Sequence, residues 1–346
     1  MFLITDILNK ILDIKRLRDF GIKSYKWGYK KGFTSQTLEV CGITKDNYKD
    51  FISDRDYALG HPYNGTYSAI IDNKLWLPML LHNYEEYIPK YYFFKDNRGF
   101  LPMCSDVEIS NVNRSDISSF FDLLKREKTL ALKHSGSSLG QGFLLVKQED
   151  NHFYCNNVEY SEAELKEKIE GLTDYLVTEY VKQHSYSSSI NASSLNTMRF
   201  LCVWDDDTKS FFLARVFHRF GFTGDVVDNL ASGNGVCYFV DPETGVFKSE
   251  GVVNFNNTGD KYVKNPVHPN IGKSLSGFKV PRFDEVKEKV LEIANSISFL
   301  KYVGFDIAIT EDSFKIIEIN SLSSLDFVQQ REGFLKDPRI RKVLKK

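Results

Sequence analysis

The segment 303-VGFDIAITEDSFKIIEINS-321 alternates apolar and polar residues on both sides of a short acidic break. Residues 305-FDIAI-309 and 315-KIIEIN-320 have the period of half-buried strands, and Glu311-Asp312-Ser313 between them is turn chemistry, so the spacing predicts a β-hairpin. A turn centred on Asp312 sets Asp306 opposite Glu318. Directly opposed side chains share a sheet face with Cβ atoms about 4.5–5.5 Å apart, and like charges placed there repel. A cation between them removes the conflict. Asn320 follows Glu318 by two residues and projects from the same face, which gives three converging oxygen ligands and no nitrogen or sulfur. That set suits Mg²⁺, a hard cation that keeps further positions for water or phosphate. A hairpin with one solvated acidic face has the same pattern, so the rest of the chain has to separate the two readings.

A length of 346 residues predicts two or three lobes, and 42% hydrophobic with 26% charged residues is ordinary for a soluble globular chain. With 45 basic and 46 acidic side chains there is no global field to recruit nucleic acid. Five cysteines, Cys41, Cys104, Cys155, Cys202 and Cys237, are odd in number and lack any CxxC pairing, which argues against a disulfide framework and a zinc site. A reducing cytoplasm is the expected setting.

The N-terminus repeats apolar residues at Leu3, Ile4, Ile7, Leu8, Ile11, Leu12 and Ile14, the spacing of an amphipathic helix. Asp6, Lys10 and Asp13 interrupt it, so no uncharged run reaches spanning length and no signal peptide is expected. Residues 1–40 carry eight Lys/Arg against four Asp/Glu, which leaves weak contact with an acidic membrane surface as the alternative to a core-packing helix.

The expected organisation is an N-terminal helical region over 1–70, a preceding region over 71–127, a small lobe over 128–190, a large lobe with the metal site over 191–330 and a basic tail over 331–346. Strands are predicted at 90-KYYFFKD-96, 129-TLALKH-134, 143-FLLVKQ-148, 175-YLVTEYV-181, 196-NTMRFLCVW-204, 211-FFLARVF-217 and 236-VCYFVD-241. Helices are predicted at 115–127, at 161–172 with a capping box from Ser161 and Glu164, and at 284–300 with Asp284 as N-cap. The fold class is α+β.

The strand ending at Lys133 runs into 135-SGSSLGQG-142, whose glycines let backbone N–H groups approach an anion closely. The pattern GxxxxGK[ST] is absent, and a flexible hairpin loop beside an edge-strand lysine has the same composition. Residues 175–181 lead into the polar linker 182-KQHSYSSSINASS-194, where backbone groups can meet an adenine edge and Glu179 a polar nucleotide group. Arg199, Arg215 and Arg219 follow on successive strands; facing a metal–phosphate site they would neutralise transferring charge, and singly each is an ordinary ion-pair arginine.

In order along the chain, Lys133, the glycine/serine loop, 176-LVTEYV-181, 196-NTMR-199, 219-RFGFTGDVVDN-229, 304-GFDIAI-309 and 318-EINS-321 resemble the ATP-grasp superfamily, and most closely the sugar-transfer associated ATP-grasp family. The resemblance covers roughly residues 70–330 and implies an ATP-grasp fold, two α+β lobes clamping ATP. It assigns Asp306, Glu318 and Asn320 to Mg²⁺ bridging ATP phosphates, and Lys133 with Gly136, Ser137, Ser138 and Gly140 to the phosphates. Glu179, Tyr180 and Val181 would frame adenine and ribose, and Lys74 in 72-DNK-74 would reach a phosphate. Arg219, Asp228 and Asn229 match a block bordering the reacting phosphate, with Arg199 nearby, while His268, Arg215 and Ser321 are assigned to the acceptor side. Two departures stand out: Gln141 replaces a lysine common in relatives, and the usual paired glycine is 233-GNG-235.

The implied activity is ATP- and Mg²⁺-dependent ligation of a carboxylate to an amine through an acyl phosphate, forming an amide on a sugar acid in surface-polysaccharide biosynthesis. A kinase acting on a sugar or polyol hydroxyl and a nucleotide-binding module without turnover stay open at this point. The expected partners are a small or sugar-linked carboxylate and an amine.

Overall fold

The computed structural model describes residues 22–104, 115–137, 140–228, 235–248, 251–254, 262–265, 267–330 and 332–344. The amphipathic repeat of residues 1–20, Ser138, Asn229, and Gly233 with Asn234 lie outside them. Short helices open the described chain: α1 (Ile22–Lys30), α2 (Ser35–Val40), α3 (Asp54–Gly60) and α4 (Tyr67–Ile71). Thr34 and Ser53 cap α2 and α3 by accepting from backbone N–H groups three residues on.

The first sheet contains β1 (Tyr91–Asp96), β2 (Gly99–Pro102), β3 (Thr129–His134), β4 (Leu144–Glu149), β5 (His152–Cys155), β6 (Val158–Tyr160) and β7 (Tyr175–Glu179), in the order β2-β1-β7-β3-β4-β5-β6. All neighbours are antiparallel. β1 and β2, read from the sequence as part of a preceding region, hydrogen-bond into this sheet through β7. Helices α5 (Ile117–Glu127) and α6 (Glu162–Glu170) cover it, burying Phe120, Leu124, Leu165 and Ile169 against Leu130, Leu132, Val146 and Val177. The capping box at Ser161 and Glu164 forms, with both reciprocal bonds present.

The second sheet contains β8 (Met198–Asp205), β9 (Ser210–Gly221), β10 (Gly235–Val240), β11 (Gly251–Asn254), β12 (Tyr262–Asn265), β13 (Tyr302–Ile309) and β14 (Phe314–Asn320). Its order is β12-β11-β10-β9-β8-β13-β14, again antiparallel throughout. Alternate residues of β8 and β13, Phe200, Cys202, Val303 and Phe305 among them, bury one face under α7 (Phe283–Ser296). The N-cap of α7 is Arg282, in a left-handed conformation and without a side-chain capping bond, not Asp284. Asp284 instead sits in the first turn, where its charge meets the positive end of the helix, and it pairs with Lys279.

The opposite face is covered at one end by the N- and C-terminal segments. Tyr57 and Tyr63 pack with Tyr302, Val328, Phe334, Leu335 and the final helix α8 (Pro338–Leu344). The remainder of that face, carrying Arg199, Arg219, Asp306 and Glu318, looks toward the first sheet. Among the described residues no helix is long and apolar enough to cross a membrane.

Candidate functional site

β13 and β14 pair as the sequence requires at the decisive point: Asp306 lies opposite Glu318 and Gly304 opposite Asn320. They reach that register by a bulge. Nearer the turn the partners are Ile309 with Phe314, Ala308 with Lys315 and Ile307 with Ile316, and Ile317 is the extra residue. Continued without the bulge, that register would face Asp306 with an isoleucine, because one residue of slip exchanges the faces of a strand. Gly304 is required for the packing beside it, since a Cβ there would meet Arg199 Cδ at 2.9 Å and Ser323 Oγ at 3.0 Å.

Asp306 is buried and is also the register partner of Arg199 on β8. Arg199 donates Nε to Oδ1 at 2.5 Å and Nη2 to Oδ2 at 2.9 Å, a bidentate pair, and its Nη1 reaches Ser323 Oγ at 3.1 Å. Arg219 Nη2 approaches Asp306 Oδ2 at 3.0 Å and Thr197 Oγ1 at 2.5 Å. Asp228 closes the ring by accepting from Thr197 N at 2.7 Å and Oγ1 at 2.6 Å. Arg219 Nε is buried without a hydrogen-bond partner among the described residues, 3.8 Å from Asp228 Oδ2.

Burial alone would raise the Asp306 carboxyl, but the guanidiniums of Arg199 and Arg219 hold it well below the usual carboxylate range. Glu318 moves the other way: burial, then the charge of Asp306, pushes it up, and the Lys74 ammonium at 3.2 Å offsets this only in part. Asp228 is raised by burial against the pull of Arg219.

Two lysines stand on the side of the first sheet. Lys74 Nζ donates to Ser137 O at 2.5 Å while pairing with Glu318, so it spans from the glycine loop to the second sheet. Lys133, half-buried near the end of β3, has an ammonium without a hydrogen bond or ion pair among the described residues. Burial, helped by the nearby Lys74 charge, depresses its ammonium to about 8 against the opposing pull of Glu318 and Asp306. The loop after β3 turns on His134, whose carbonyl accepts from Ser137 N and Oγ and whose Nδ1 accepts from Gly136 N. Gly140, at φ +71°, comes so close to Val227 that a Cβ would lie 3.3 Å from its methyl.

At the cleft floor Val181 packs with Leu195, Ala308 and Ile317. Tyr180 is half-buried, and Glu179 Oε2 accepts from Lys90 N at 3.0 Å. The polar linker beyond is knotted: Gln183 Oε1 accepts from Asn196 N and Nδ2 and from Ser187 Oγ, and its Nε2 reaches the carbonyls of Asn191 and Ser194.

Of the other residues singled out from the sequence, Arg215 and His268 lie elsewhere, and Ser321 adjoins the cluster. Arg215 donates Nε to Val328 O at 2.9 Å and stacks on Phe334, because the C-terminal segment covers that part of the sheet. His268 is wholly buried between Phe220 and Tyr238, and burial lowers its imidazole to about 4. Ser321 is buried at the end of β14, where it donates N and Oγ to Asp72. The sequence assigned no role to Asp72 or Thr197, which lie inside 72-DNK-74 and 196-NTMR-199, or to Ser323; only their hydrogen bonds mark them.

Among the described residues no group of three or more His, Cys, Asp or Glu side chains could hold a metal ion. The Asp306, Glu318 and Asn320 set has two carboxylates and one amide, an all-oxygen donor set that fits a hard divalent cation. Burial, and after it the charge of Asp306, raises Glu318, and a cation between the two carboxylates would relieve the second of these. Asp306 Oδ1 accepts from Arg199 Nε and has a second lone pair, whereas Asn320 turns Nδ2 toward Asp306 and Glu318 and would need the opposite amide orientation to be a ligand.

Two antiparallel α+β lobes facing one another across a cleft of opposed carboxylates, arginines and lysines are the ATP-grasp architecture. The chain belongs to the sugar-transfer associated ATP-grasp family, whose sequence model matches residues 55–344. No curated protein matches the chain. Solved structures similar to it include the ATP-grasp ligase PsnB complexed with a minimal precursor, at 12% identity and TM-score 0.42, over 82% of this chain and 63% of that one. An L-amino acid ligase from Bacillus licheniformis matches at 9% identity and TM-score 0.40, over 80% and 48% of the two chains. A D-alanine–D-alanine ligase from Bacillus anthracis matches at 13% identity and TM-score 0.36, over 80% and 69%. The chain thus spans less than two thirds of the PsnB chain.

Proposed function

We propose that this protein is an ATP- and Mg²⁺-dependent carboxylate–amine ligase that forms an amide on a sugar acid through an acyl phosphate. The observation that carries the reading is the convergence of Asp306, Glu318 and Asn320 with Lys74, Lys133 and Arg219 across the cleft. In this reading Asp306, Glu318 and Asn320 hold the cation, which supplies neutralisation of charge on the nucleotide phosphates. Lys74, Lys133 and the backbone of Gly136, Ser137 and Gly140 bind phosphate oxygens, and Val181 with Ile317 receives the base. Arg219 stabilises the transferring group through its positive charge beside Asp306.

The substrate carboxylate oxygen attacks the γ-phosphorus, the bond to the β–γ bridging oxygen breaks, and ADP departs. The amine then attacks the acyl carbon, loses a proton, and phosphate leaves. No protein nucleophile is needed. A kinase would need a carboxylate that accepts the proton of a substrate hydroxyl. Asp306 is held by two guanidiniums, Asp228 by Thr197 and Glu318 by Lys74, so each carboxylate of the cluster is engaged, which favours the ligase. A uronic or other sugar acid as carboxylate, an amino compound as amine, and a cytoplasmic setting belong to the proposal through the family alone.

The test follows from the mixed-anhydride nature of the intermediate. Purified protein given ATP, Mg²⁺ and a panel of sugar acids with hydroxylamine in place of the amine is expected to release a hydroxamate. A stable, hydroxylamine-resistant phosphorylated sugar would overturn the ligase in favour of a kinase.

A further inference from the structure

Residues 72-DNK-74 follow α4 and bind both lobes at once. Asp72 accepts from Ser321 N at 2.7 Å and from Ser321 Oγ at 2.6 Å. Asn73 fixes the turn by accepting from Leu75 N at 3.0 Å. Two residues after Asp72, Lys74 donates its backbone N to Ser135 O at 3.0 Å and its Nζ to Ser137 O, and pairs with Glu318. One short turn therefore ties the glycine loop of the first sheet to the last strand of the second.

The place where Asp72 attaches is specific. β14 is an edge strand, and its ladder with β13 ends at the Asn320–Gly304 pair. Beyond Asn320 no neighbouring strand sets the backbone direction. The Asp72 carboxylate takes that role, satisfying the buried N–H and hydroxyl of the next residue. Glu318 and Asn320, the two candidate ligands on β14, are thereby fixed from beyond the strand end, and Lys74 is anchored on the same turn.

We propose that Asp72 is a positioning residue: it holds the end of β14 so that Asn320 and Glu318 stay directed at Asp306, and it couples that strand to the glycine loop through Lys74. The proposal rests on reading the cluster as a metal–nucleotide site, and it adds a residue acting through Ser321 without touching metal or substrate. Groups that orient metal ligands in this way change metal affinity by about 10–100-fold when removed.

The experiment measures the Mg²⁺ concentration that half-saturates binding of a non-hydrolysable ATP analogue, by calorimetry on the full chain. Asp72→Ala is expected to raise that concentration by about 10-fold or more. Asp72→Asn, which keeps an acceptor for the Ser321 N–H, is expected to recover most of the loss. Gln329→Ala serves as the stability control, since it removes two buried bonds to the Ile52 backbone far from the cleft. It should lower the unfolding temperature without moving the Mg²⁺ requirement. An unmoved requirement in Asp72→Ala, or an equal shift in Gln329→Ala, overturns the positioning role. If the wild-type chain binds no analogue at any Mg²⁺ concentration, the nucleotide reading falls and takes this proposal with it.

Discussion

Asp306 and Glu318 face each other across one ladder rung, yet they titrate in opposite directions, because the two guanidiniums sit on the Asp306 side. The consequence for Glu318 is a stability term with a definite sign. A carboxyl with a raised folded pKa holds its proton more tightly in the folded chain, so its contribution is complete below the unfolded value of about 4.3. That contribution is lost as pH climbs through the raised folded value. Glu318→Gln cannot ionise and escapes the loss. In metal-free protein the variant should be as stable as wild type or more so at pH 8, and the advantage should disappear near pH 4, read as urea midpoints across that range. The same variant should have no turnover. A wild-type advantage at pH 8 together with full activity in the variant would make the pair structural.

At the scale of elements, the decisive hairpin was legible because period-two alternation and turn residues specify faces and partners. Its bulge was not: Ile317 reads in sequence as one more alternating apolar residue, and the extra position emerges only when Ile309 pairs with Phe314 across a shorter turn than the one centred on Asp312. The capping box of α6 was legible because it is local. The cap of α7 was misplaced because Arg282 adopts a left-handed conformation that nothing in its neighbours demands. Arg199 and Arg219 could be singled out but not paired, since the partner of both is Asp306, 107 and 87 residues further along the chain. The bulge also has a use. It turns Ile317 toward Val181 and Ala308, forming the apolar floor beside the carboxylates. Ile317→Ala should cost about 2–4 kcal/mol of unfolding free energy, the usual range for a buried isoleucine cut to alanine, and should also weaken an adenine nucleotide. Equal nucleotide affinity in the variant by calorimetry would make this cluster core and nothing more.

For the whole molecule, the question is whether two sheets joined by a linker unfold as one body. The largest apolar cluster contains Tyr91 and Leu176 of the first sheet together with Phe200, Val303 and Ile316 of the second, and Leu77, Leu81 and Ile88 lie in it too. Lys315 adds bonds from β14 to the carbonyls of Glu86 and Ile88. The N-terminal segment is fastened with equal directness. Asn64, buried, donates to Tyr302 O at 2.7 Å and accepts from Lys301 N and Tyr302 N at 2.8 and 3.1 Å, capping the start of β13. Asn64→Ala leaves those backbone groups without a partner, at about 1–3 kcal/mol for each buried group left unsatisfied. With a core shared between the sheets, that loss should lower one common transition. Fluorescence of Trp204, on β8, read in a background with Trp27 and Trp76 replaced by phenylalanine, and hydrogen exchange of the β3 and β7 amides, in the other sheet, should therefore report the same reduced midpoint in urea. Retention of the wild-type midpoint by the β3 and β7 amides while the Trp204 signal shifts would show that the lobes unfold independently and that the shared cluster does not couple them.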